Sequence, residues 1–132
     1  MSAPVLVRRR WLAPAALYVA LIFFTSSRPH LHVPGPDFDL KDKLGHCMEY
    51  FALGWLMAMA IRPARARCRL VCVLWFVAIG SGIGAADELF QRTVAGRISS
   101  VTDWMADVIG LAAGATLAVV RGWTAHTDRN EE

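Results

Sequence analysis

Two stretches of this chain carry no charged residue over nearly the length of a bilayer crossing: Trp11 to Ser27 and Leu70 to Ala86. A hydrocarbon core of ~30 Å takes roughly 17–25 helical residues to span, and both stretches reach the short end of that range. The apolar excess is general. The chain is 55% hydrophobic and 19% charged, against ~45–50% and ~25% for a soluble domain. The expected fold is all-α: one membrane domain over residues 1–132, a four-transmembrane-helix up-down bundle with helices near 11–27, 43–61, 70–90 and 103–120.

The first segment follows Arg8, Arg9 and Arg10. A basic start and an apolar run also describe a signal peptide. No small-x-small cleavage site follows and three more apolar segments do, so a retained anchor is expected. Ser27 to Asp39 holds Pro29, Pro34, Gly35 and Pro36 and reads as a loop, since proline lacks the amide donor a helix needs. The second segment opens on polar turns with Lys41, Asp42, Lys43, His46 and Glu49, then runs uncharged from Phe51 to Ile61. The core alone is too short to span, so the polar turns form the outer end of the helix. The fourth segment carries Asp103 and Asp107 in its first turns, and Asp42 and Asp103 suit N-caps. The tail from Arg121 to Glu132 is polar and is expected to fray.

Arginine placement sets the expected orientation, because cytoplasmic loops are enriched in Lys and Arg. With four spans, Arg8, Arg9, Arg10, Arg62, Arg65, Arg67, Arg69, Arg121 and Arg129 fall on one side. Arg28, Lys41, Lys43, Arg92 and Arg97 fall on the other. Nine against five places both termini inside. The net charge of +3 does not point to nucleic acid, because the arginines flank apolar runs and are not interleaved with aromatics. Cys47, Cys68 and Cys72 make no CxxC and no metal spacing. Gly80 with Gly84, and Gly110 with Gly114, stand four apart, a spacing that lets helix backbones approach closely in lipid.

This topology gathers three polar stretches at the outer helix ends. Asp42, Lys43, His46, Glu49 and Tyr50 open the second segment. Asp87, Glu88, Gln91 and Arg92 close the third. Arg97, Ser99, Ser100, Asp103 and Asp107 lead into the fourth. Asp42, His46 and Glu49 or Tyr50 share a helical face, as do Glu88 with Gln91 and Asp103 with Asp107. A charge at the centre of a membrane helix costs about 2.5–3.5 kcal/mol on insertion scales, so ionisable groups there face a partner or a cavity. The helix dipole disfavours Asp87 and Glu88 at a C-terminus. Arg92, Arg97, Lys43 or a bound cation is expected to compensate them.

Three chemistries suit such a cluster. His46 can act as acid or base, with Asp42, Glu88, Asp103 or Asp107 orienting it, and His46, Glu88 and Asp103 are the candidate catalytic residues. Asp42, Lys43, His46, Tyr50, Asp87, Glu88, Gln91, Arg97, Asp103 and Asp107 are the candidate ligand-binding residues. Lys43, Arg92 and Arg97 would meet phosphate, and the acids and Tyr50 would hold sugar hydroxyls or amines. One histidine among acids (Glu49, Glu88, Asp103, Asp107) is a thin donor set, and no metal site and no cofactor is assigned from it. His30 and His32 lie in the proline-rich loop and read as solvent-exposed.

Asp42-Lys43-x-x-His46-x-x-x-Tyr50-x-x-Leu53-Gly54, then Asp87-Glu88-x-x-Gln91, Gly96-Arg97 and Asp103-x-x-x-Asp107-x-x-Gly110 resemble the VanZ-like family over residues 42–114. The resemblance implies a small bacterial integral membrane protein with several spans, from a family whose founding member is associated with resistance to the glycopeptide teicoplanin. Two departures stand out. Arg92-Thr93-Val94-Ala95 replaces a stretch that usually holds an aromatic and a proline, and Asp107 stands where asparagine is common. The expected function is an envelope protein of the cytoplasmic membrane that binds a lipid-linked cell-wall precursor or a glycopeptide on the extracytoplasmic side. The alternatives are a membrane-embedded hydrolase or transferase acting on a lipid phosphate, metal-assisted or not, and a proton-coupled carrier, which at four spans would work as a homo-oligomer.

Overall fold

The computed structural model describes residues 5–28, 41–97 and 99–127. The proline-rich loop from residue 29 onward, with His30 and His32, and the end of the tail with Arg129 lie outside the described residues. Four α-helices form among the rest: α1 (Leu12–Ser26), α2 (Lys41–Ala60), α3 (Arg69–Gln91) and α4 (Val101–Thr127). α1 admits Pro14 at its third position, where the missing amide would have had no helical partner. α4 packs chiefly on α2, with α3 against α4 and α1 against α2 and α3. One core cluster joins Ala58, Cys72, Phe76, Ala115, Ala118 and Val119; a second joins Ile22, Tyr50, Leu53 and Leu111.

Three details depart from the expectations. The tail does not fray at Arg121, because α4 continues to Thr127. Nothing between Arg121 and Thr127 stops a helix except Gly122, whose carbonyl accepts a hydrogen bond from the Arg62 guanidinium. The basic turn after α2 is also more ordered than its composition suggests. A short strand, β1 (Val5–Val7), pairs antiparallel with β2 (Ile61–Pro63), and the Arg8 amide donates to the Ala60 carbonyl at 2.7 Å. Finally, Ser100 caps α4: its Oγ accepts the Thr102 amide at 3.2 Å. Asp103 therefore lies in the first turn and not at the cap, and Asp42 likewise falls inside the first turn of α2.

These contacts place the start of α1, the α2–α3 connection and the far part of α4 at one end of the bundle. The ends of α1 and α3 and the starts of α2 and α4 meet at the other. Among the described residues, two helices are long and apolar enough to cross a membrane: α3 and the Val101–Gly122 part of α4. α1, at 15 residues, reaches about 22 Å, and α2 opens on its polar turns. Large apolar side chains face outward on all four helices, as with Leu17 (70% exposed), Met48, Trp75 (63%) and Ile109 (62%). Outward apolar side chains on every helix suit a lipid surround.

Candidate functional site

Glycines set the register that builds the polar end. A Cβ on Gly110 would collide with the carbonyl oxygen of Cys47, one on Gly114 with that of Phe51, and one on Gly54 with that of Leu111. The α2 and α4 backbones are therefore in direct contact, a separation that only glycine permits and that favours Cα–H···O contacts. Asp107 precedes Gly110 by one helical turn, and His46 adjoins Cys47. The crossing thus brings His46 Nδ1 to 2.9 Å from Asp107 Oδ1. From α3, Gly84 leaves room for this pair: a Cβ there would stand 3.2 Å from Asp107 Oδ2 and 3.4 Å from the Tyr50 ring. The same face of α3 buries Cys72, Phe76, Gly80, Gly84, Asp87, Glu88 and Gln91.

Three of the acids, Asp87, Glu88 and Glu49, are held by neutral donors. Asp87 Oδ2 accepts from the Ser26 hydroxyl at 2.8 Å and from the Gln91 amide at 2.9 Å. Glu88 Oε2 accepts the Ser100 backbone amide at 2.9 Å. Glu49 Oε1 lies 3.2 Å from the Thr25 hydroxyl. The expected cations are engaged elsewhere: Lys43 pairs with Asp103 at 3.4 Å, and Arg92 donates to Ser99 on the exposed surface. Several polar atoms in the interior have no hydrogen-bond partner, among them Asp87 Oδ1, Glu88 Oε1, Asp107 Oδ2 and the Tyr50 hydroxyl. Tyr50 and Asp107 are completely buried.

The fold therefore brings His46, Tyr50, Asp87, Glu88, Gln91 and Asp107 together across three helices. Lys43, Asp103 and Arg97 are half-buried; Arg97 Nε is enclosed without a partner. Asp42 is exposed in the first turn of α2, one turn before His46. Ser26 belongs to the network, 3% exposed, yet the sequence reading left it where the first segment gives way to its loop. The one available signal was the hydroxyl run Thr25-Ser26-Ser27 closing an uncharged helix.

Chemically, the His46–Asp107 hydrogen bond orients the imidazole, with Nδ1–H donating to the carboxylate. Among the described residues, one ligating atom each from His46, Glu88 and Asp107 lies within 4.8 Å of the others, close enough for the three to share a metal ion. No curated protein and no solved structure matches the chain. The model of the family described as VanZ/LLP1 matches residues 8–122, which take in the glycine crossing and the whole polar network, and the chain belongs to that family.

Proposed function

We propose that the chain is a four-span protein of the bacterial cytoplasmic membrane, with both termini inside and the polar cluster on the extracytoplasmic side. There it binds a surface-facing envelope ligand, a lipid-linked cell-wall precursor or a glycopeptide of the teicoplanin type. The observation that carries this reading is the set of buried oxygens without partners on Tyr50, Asp87, Glu88 and Asp107. Leaving such groups unsatisfied costs roughly 1–3 kcal/mol each, a cost a protein retains where a ligand completes the bonds. The basic pole formed by Arg8, Arg9, Arg10, Arg62, Arg65, Arg67 and Arg69 supports the orientation. The acidic lining favours amines, cations or sugar hydroxyls over a bare phosphate. Deletion and overexpression in the bacterial host, with glycopeptide susceptibility and precursor levels measured, should shift at least one of them. No change in either would defeat the proposal.

The second reading is a membrane-embedded hydrolase or transferase acting on a lipid phosphate. The oriented His46–Asp107 pair favours it, because a general base needs a fixed tautomer and a proton partner. Full function in His46→Ala would remove it.

A further inference from the structure

We propose that His46, Glu88 and Asp107 form a divalent metal site that presents open coordination positions to the ligand. This rests on reading the cluster as a ligand pocket and names the chemistry of its floor. The donors come from α2, α3 and α4, and their ligating atoms already lie within 4.8 Å of one another; an ion on His46 Nδ1 would take the place of the proton that bonds Asp107 in the metal-free protein. Metal–ligand bonds of about 2.0–2.2 Å set donors roughly 3.4 Å apart in a tetrahedral site, so side-chain movement of about 1 Å completes it.

Acids alone do not make a site, and two independent features point to an ion here. Asp107 is 0% exposed and Glu88 6% exposed, yet Asp107 Oδ2 and Glu88 Oε1 have no partner. The charges among these groups also lean negative: the donors to Asp87, Glu88 and Glu49 are hydroxyls, an amide side chain and a backbone amide, all neutral, and among the described residues His46 on Asp107 is the one base bonded to these four acids. A divalent ion neutralises the Glu88 and Asp107 carboxylates together, which removes the cost of burying two like charges. One imidazole with two carboxylates suits Zn²⁺ or Mn²⁺ better than a thiolate-seeking ion. Closed structural zinc sites use four protein ligands, whereas three leave room for an exogenous oxygen. A phosphate or pyrophosphate oxygen would take that position, so the ion reconciles an acidic pocket with an anionic envelope lipid.

The test uses the full chain purified in detergent, stripped with chelator and reloaded with Zn²⁺ or Mn²⁺. Elemental analysis after gel filtration should give about one ion per chain, and a saturating ion should raise Tm by about 5 °C or more. Glu88→Gln should lose the ion and the shift while its stripped form melts no lower than stripped wild type, so that the loss is not one of folding. His46→Ala should lose them too. Wild type that takes up neither ion, or uptake unchanged in Glu88→Gln, overturns the metal site. If wild type takes up no ion but Glu88→Gln still abolishes the susceptibility phenotype, the metal falls and the pocket stands.

Discussion

At the end where α1 begins, arginines crowd the surface; at the end where it finishes, carboxylates sit inside the protein. Loss of some hydration, and after it the charges of Arg10 and Arg62, lower the pKa of the Arg8 guanidinium from its usual value. That end is held by backbone pairing of β1 with β2 and by Arg62 on the Gly122 carbonyl, so its charges can stay in water. The other end is held by helix backbones in contact at Gly54, Gly110 and Gly114, and its charges lie within the crossing. Exposed like charges cost little and serve orientation. Buried ones cost much more, and they persist where chemistry requires them.

Substitutions should separate the ends by the size of their effect. Gly110→Ala drives a Cβ into the Cys47 carbonyl and should cost about 3 kcal/mol, read by denaturation in detergent. Ser26→Ala strips a donor from buried Asp87 and should cost about 1–2 kcal/mol in the same assay. Gly96 has φ 81°, a left-handed conformation that costs a residue with a Cβ roughly 1–2 kcal/mol. Gly96→Ala should destabilise by about 1 kcal/mol and loosen the turn that leads into α4. Exposed Arg67→Ala, at the basic end, should stay within about 0.5 kcal/mol. If Arg67→Ala proved as damaging as Ser26→Ala, the contrast between the ends would collapse.

Much of this was legible in the sequence, for identifiable reasons. The charge-free runs fixed α1 and α3, and the glycine pair at 110 and 114 marked a close crossing that the structure places between α2 and α4. Helical spacing put His46 and Tyr50 on one face and Asp107 on the Gly110 face. The expected cations did not settle on Asp87 and Glu88. Spacing along a chain does not say which charges meet across it, and Ser26, Gln91 and the Ser100 amide were as able to satisfy carboxylates. The β1–β2 pair was invisible because three-residue strands leave no periodicity to read. Ser26 was missed because a hydroxyl at a helix end looks like the start of a loop.

The reading of the acidic end as a site, and not as scaffold, is decided by melting Glu88→Gln beside wild type, both stripped of metal, while scoring glycopeptide susceptibility in cells. Gln keeps an acceptor for the Ser100 amide and removes a buried charge. Tm should therefore hold or rise by a few degrees, by about 1 kcal/mol, while the phenotype is lost. A clear fall in Tm with susceptibility unchanged would mean that Glu88 only holds the helices together.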